Sequence, residues 1–236
     1  MAPGPWALIA FDLDGTLADT ESFSIPNLLE LLANHYGLHL TTAQWFTHYH
    51  GMSGPSLLAK LNAEHGTTLV WEEFSPRRQA ALEQVIRANG VAPLPGMLQM
   101  LRRVLAQGQQ LALVSNSNPT RIALTLDYIN GQRQHGVLLP HVFQGHIFSG
   151  TDPAHPNRRS KPAPDVYLAA AAHYQANPAA CLALEDSATG VKAAVAAGFT
   201  CWGYTGAASD THQAAAELTA AGASQIVTHW DAFQPA

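Results

Sequence analysis

The chain has 236 residues, enough for one large domain or one domain carrying an insertion. Twelve Lys plus Arg against seventeen Asp plus Glu leave a net charge of −5 with no basic block, which argues against a nucleic-acid partner. The apolar runs are far shorter than the roughly 18–20 residues of a membrane helix, Met1–Pro5 lacks the basic start of a secretory signal, and two cysteines (Cys181, Cys201) make neither a disulfide framework nor a zinc site, so a cytoplasmic protein without a membrane partner is expected.

In chain order, the first apolar run, Trp6–Phe11, reads as a buried parallel strand that ends in Asp12-Leu13-Asp14-Gly15-Thr16. From about Glu21 to Pro93 no strand is expected. Leu28, Leu29, Leu31 and Leu32 mark one helix there, Leu57, Leu58 and Leu61 a second, and Trp71, Phe74, Leu82, Val85 and Ile86 at least one more. A helix over Met97–Ala106 then leads to a second strand, Leu111–Ser115. Asn118-Pro119-Thr120 follows as an N-cap with Pro at the first helical position. Further strands are expected at Val142–Phe148, Cys181–Leu184 and Thr200–Tyr204. The helices between them start at Pro162-Ala163-Pro164-Asp165 and Ser187, and a last one covers Thr211–Ala221. Strands alternating with helices predict an α/β fold, a doubly wound, Rossmann-like parallel sheet over residues 1–20 and 94–236. The strandless insertion, 21–93, predicts a small helical cap domain.

Chemistry concentrates where these strands end, which is where open parallel sheets bind ligands. Asp12 and Asp14, two apart on near-extended backbone, should point the same way, and such a pair repels itself unless a cation or a shared proton intervenes. Ser115-Asn116 ends the second strand and leads into a helix N-terminus, a natural place for an anion. Lys161 sits on a loop stiffened by Pro162 and Pro164, and Glu185-Asp186 follows the Cys181–Leu184 run. Together these groups suit an oxygen-ligated hard cation and a phosphoryl group.

These four motifs, in this order, resemble the haloacid dehalogenase superfamily of aspartate-nucleophile phosphatases, and the helical insertion sits where that family carries its cap. Ser160-Lys161-Pro162-Ala163-Pro164-Asp165 and Glu185-Asp186-Ser187-Ala188-Thr189-Gly190-Val191 look closest to the branch of phosphoglycolate phosphatase-like and β-phosphoglucomutase-like enzymes. The resemblance implies Asp12 as nucleophile and Asp14 as acid and base. It implies Ser115, Asn116 and Lys161 around the phosphoryl group, and Mg²⁺ held by Asp12, Asp14 (through its carbonyl) and Asp186, with Glu185 direct or through water. It further implies a small phosphorylated metabolite as substrate, and the composition is compatible with a monomer or a homodimer. Hydrolysis is preferred to a sugar-phosphate mutase, because Gly51-Met52-Ser53-Gly54-Pro55-Ser56 lacks the basic residue such mutases typically carry there. In the cap, His48, His50 and Met52 are candidates for selecting the leaving group.

Overall fold

The computed structural model describes residues 6–49, 52 and 54–234. It begins with β1 (Leu8–Phe11), followed by a short β2 (Ala18–Asp19). Four helices come next: α1 (Glu21–Tyr36), α2 (Thr42–His48), α3 (Gly54–His65) and α4 (Trp71–Asn89). Then come β3 (Ala92–Pro93), α5 (Met97–Ala106), β4 (Leu111–Ser115), α6 (Pro119–Tyr128) and the short turns α7 (Gln132–His135) and α8 (Leu139–Val142). The chain closes with β5 (Ile147–Ser149), α9 (Asp165–His173), β6 (Cys181–Glu185), α10 (Ala188–Ala196), β7 (Thr200–Tyr204), α11 (Thr211–Ala221) and β8 (Gln225–Val227).

The chain up to Asp19, together with everything from Val91 onward, forms one compact unit; Thr20–Gly90 forms a second. In the first, six strands pair in the order β5-β4-β1-β6-β7-β8, every pairing parallel. The path runs outward from β1 through β4 to β5, then restarts on the other side at β6. The switch point of this α/β sheet therefore lies beside β1. Side chains along β1 alternate between faces. Leu8 and Ala10 join Ala112, Val114, Ala183, Val166 and Tyr167 in one buried layer. Ala170 and Ala171 of α9 and Ala193 and Ala194 of α10 belong to the same buried layer. On the opposite face Phe11 meets Trp230 and Phe233 at ring distances of 5.9 and 6.3 Å.

The second unit has its own core, built from Leu28, Leu32, Trp45, Leu57, Leu58, Leu61 and Phe74. Sequence patterning misses α2, whose single apolar pair is too short to show a period. Its signal is a capping box instead: Thr41 Oγ1 accepts from Gln44 N, and the Gln44 side chain accepts from Thr41 N.

Other boundaries also differ from the sequence expectation. The Val142–Phe148 run is only partly strand. Pro140 sits in the first turn of α8, Gly145 takes φ 78°, and extended backbone begins at Ile147. The edge strand β8 is three residues long and carries no readable period. Ala92–Pro93, inside the stretch expected to hold no strand, pairs antiparallel with Ala18–Asp19.

Candidate active site

Three neighbouring strands bring the candidate residues together. Asp12 follows β1, Ser115 ends β4 on one side of it, and Glu185 ends β6 on the other. The Asp12 amide donates to the Leu184 carbonyl at 3.0 Å, so the residue leaves the sheet still tied to β6. Lys161 enters from the loop after β5 with its side chain only 4% exposed. Its ammonium donates to Asp12 Oδ1 at 2.7 Å, to Glu185 Oε1 at 2.5 Å and to the Val114 carbonyl at 2.8 Å. The Tyr167 hydroxyl, from α9, donates to the same Glu185 oxygen.

Burial sets the electrostatics. It pushes the Asp12 carboxyl up to about 7, with Glu185 and Asp14 adding to the rise and the Lys161 charge opposing it. Burial also works against the Lys161 ammonium, but Asp12 and Glu185 beside it outweigh that and raise its pKa. Burial and the charge of Glu185 raise Tyr167 well above a free phenol, so it stays a donor.

Asp12, Glu185 and Asp186 each offer a carboxylate oxygen within 4.8 Å of the others. Two glycines make room for this cluster. Gly15, at φ 76°, lies so close to Asp186 that a Cβ would overlap its carboxylate, and a Cβ on Gly190 would overlap Glu185. The Asp14 side chain turns elsewhere. Its Oδ2 accepts from Ser117 Oγ at 2.6 Å, and Arg121 grips both oxygens, Nη1 to Oδ1 at 3.0 Å and Nη2 to Oδ2 at 2.7 Å. Asp12 and Asp14, expected to point the same way on near-extended backbone, are instead met by different cations, Lys161 and Arg121, the backbone bending at Leu13.

Asn116 uses its side chain as a bracket: Oδ1 accepts from the Lys161 amide at 2.8 Å and Nδ2 donates to the Lys161 carbonyl at 3.1 Å. Ser115 is buried, its hydroxyl accepting from the Ser117 amide at 3.0 Å. In the second unit, His48 and Met52 are exposed; His50 lies outside the described residues. Sequence reasoning passed over Ser117, Arg121 and Tyr167. Tyr167 has no local signal inside its apolar helix. Arg121 has one: a cation in the first turn of α6, where the helix dipole disfavours it.

Over residues 6–198 the chain matches the model of the haloacid dehalogenase-like hydrolases. It is 29% identical over 198 residues to protein CbbY of Rhodobacter capsulatus, covering 80% of this chain and 81% of that protein. It is 29% identical over 202 residues to a bifunctional riboflavin kinase/FMN phosphatase of Arabidopsis thaliana, covering 80% of this chain but spanning only 46% of that longer protein. Among solved structures, a haloacid dehalogenase family hydrolase from Deinococcus radiodurans with bound phosphate and sodium superposes with a TM-score of 0.70 at 31% identity, covering 97% of this chain and 93% of that one. Strand order, an acidic cluster at the strand ends and a match over most of the length converge, and the chain belongs to the haloacid dehalogenase-like hydrolases.

Proposed function

We propose that this hydrolase is a Mg²⁺-dependent phosphatase of small phosphorylated metabolites, of the sugar phosphate, sugar-acid phosphate or phosphoglycolate type, working through a phosphoryl group carried on Asp12. One observation carries the reading: a buried carboxylate, Asp12, lies 2.7 Å from a buried ammonium, Lys161, at the centre of a three-carboxylate cluster. The names of the relatives, which include an FMN phosphatase, support the same chemistry.

An all-oxygen cluster of this kind fits a hard divalent cation. Asp12, Glu185 and Asp186 would hold it, with the Asp14 carbonyl as a further donor. Glu185 Oε1 already accepts from Lys161 and Tyr167, and Glu185 would hold the ion directly or through water. When bound, Mg²⁺ supplies Lewis-acid neutralisation of the charge shared by the nucleophile and the phosphate.

The chain's own residues do the rest. An Asp12 oxygen forms a bond to phosphorus as the ester P–O bond breaks. The electron pair leaves on the ester oxygen, which takes a proton from the Asp14 carboxyl and departs as an alcohol. Water then attacks the phosphorus of the acyl phosphate and gives a proton to Asp14, and the released electron pair returns to Asp12. Ser115 and Lys161 hold the transferring oxygens. Asn116, whose side chain brackets Lys161, contributes through its backbone amide. His48, His50 and Met52, in the helical insertion, remain the candidates for selecting the leaving group. The two buried free cysteines suit a reducing, cytoplasmic setting.

Phosphate release from a panel of phosphorylated metabolites tests the reading, with Mg²⁺, with EDTA and with Asp12→Asn. Release that requires both Mg²⁺ and Asp12 is expected. Isomer formation from a sugar phosphate primed with its bisphosphate, without free phosphate, would assign a mutase instead.

A further inference from the structure

We infer that Arg121 and Ser117 are positioning residues for the Asp14 carboxyl, holding the proton carrier of the reaction in one orientation. The inference rests on the phosphatase reading above and adds two residues to its machinery. A carboxylate has about four acceptor positions, and three donors from one short segment occupy Asp14: Ser117 Oγ at 2.6 Å and both terminal nitrogens of Arg121 at 3.0 and 2.7 Å. The guanidinium is planar and permanently charged. Its two-pronged grip defines the plane of the carboxylate as well as its position, which a lysine's point charge would not do.

The segment carrying these donors is itself braced. Asn118 caps α6 by accepting from the Arg121 amide at 2.8 Å. The Ser149 hydroxyl holds the Ser117 carbonyl at 2.7 Å, and the Ser117 amide donates to Ser115 Oγ at 3.0 Å. The Arg121–Asp14 pair is largely shielded, with side-chain exposures of 15% and 26%. Arg121 also stands in the first turn of α6, where the helix dipole disfavours a cation, and its pairing with Asp14 offsets that cost. A local rule broken in favour of a tertiary contact points to a site requirement.

Lys161 does not duplicate the role, since Asp12, Glu185 and the Val114 carbonyl occupy its ammonium. Within seven residues, Ser115–Arg121, the chain thus serves both halves of the reaction. Ser115 faces the phosphoryl group, while Ser117 and Arg121 aim the group that protonates the ester oxygen and later deprotonates water.

The test uses the full chain and reads kcat/KM, which reports on transfer to Asp12. The esters are p-nitrophenyl phosphate, phenyl phosphate and glycerol phosphate, the last having the most basic leaving oxygen. Arg121→Gln is expected to lower kcat/KM about 30-fold on glycerol phosphate and less than about 3-fold on p-nitrophenyl phosphate, because a weakly basic leaving group needs little proton assistance. Arg121→Lys should recover part of the loss. Asp14→Asn combined with Arg121→Gln should be no slower than Asp14→Asn alone.

Ser117→Ala removes one donor of three. It should show a smaller loss with the same ranking of esters, and it carries the test if the Arg121 variants do not fold in thermal melts. An equal loss on all three esters, a change in KM alone, or additive losses in the double variant would overturn the inference. If the wild-type chain with Mg²⁺ releases phosphate from no ester, both readings fall. Release that depends on Asp12, together with an ester-independent loss in Arg121→Gln, would overturn this inference alone.

Discussion

Asp12 and Asp14, two residues apart in the chain, are held by different cations: Lys161 binds the first at 2.7 Å and Arg121 grips both oxygens of the second. Two neighbouring carboxylates at one strand end would otherwise raise each other's pKa, and the charge of Asp14 does add to the rise at Asp12. Separate partners let the two groups keep separate tasks, one as nucleophile and one as proton carrier.

Asp12→Asn removes the nucleophile and leaves the side chain's volume intact. Phosphate release should fall at least about 10³-fold, the order expected when a covalent nucleophile is lost, while the thermal midpoint stays near that of wild type or above it. Activity above a tenth of wild type in the purified variant would contradict the covalent route.

Lys161→Met should be costly to the fold as well as to turnover. It leaves Asp12 and Glu185 facing each other in the interior without their shared ammonium. Removing one partner of a buried ionic group typically destabilises by about 3–5 kcal/mol. Urea unfolding at pH 7.5 measures this, and Mg²⁺ should restore part of it by supplying positive charge at the same carboxylates. An unchanged urea midpoint would place Lys161 outside the electrostatic core of the site.

The metal-free chain should lose stability as pH rises. Burial lifts Asp12 from an ordinary carboxyl value to about 7 in the folded state, so between about pH 4 and 7 the folded chain holds a proton that the unfolded chain has released. The unfolded state binds fewer protons there, and the contribution to stability therefore falls with increasing pH. Mg²⁺ binds the carboxylate form and should flatten the slope. Thermal melts at pH 5 and pH 8, with EDTA or with Mg²⁺, read the effect as a difference of a few degrees. A metal-free Asp12→Asn variant should lack the Asp12 part of the slope.

Gly15→Ala should weaken cation binding. Gly15 takes φ 76°, and a Cβ there would overlap the Asp186 carboxylate, displacing one member of the cluster. The Mg²⁺ concentration for half-maximal activity should rise about 10–100-fold, the range seen when the support of a metal ligand is disturbed. Titration calorimetry with Mg²⁺ on the unreacted protein gives the same number independently of turnover.

Trp230→Phe tests how the tail of the chain supports the first motif. The indole N–H donates to the Thr16 carbonyl at 3.0 Å, and the ring stacks on Tyr204 at 4.4 Å. Phenylalanine keeps much of the packing and removes the donor, leaving the buried carbonyl short of a partner. The expected cost is about 1–3 kcal/mol in denaturant unfolding.

Local physics made much of the molecule readable from the sequence alone. Apolar runs with turn residues at their ends marked Leu111–Ser115 and Thr200–Tyr204 as strands, and the caps at Asn118, Ser187 and Gly222 marked helix ends, because these signals act within a few residues. The same reading put Asp12, Ser115, Lys161 and Glu185 at strand ends or on the loops between them. Tertiary structure alone decided which charge answers which. Arg121 lies 107 residues from Asp14, and Lys161 lies 149 residues from Asp12. Those pairings exist because the sheet places β4, which leads into α6, beside β1, and β5, which leads into the Lys161 loop, beside β4. Strand order and register are set by the burial of whole faces, so no window of sequence around Asp14 contains the cation that holds it.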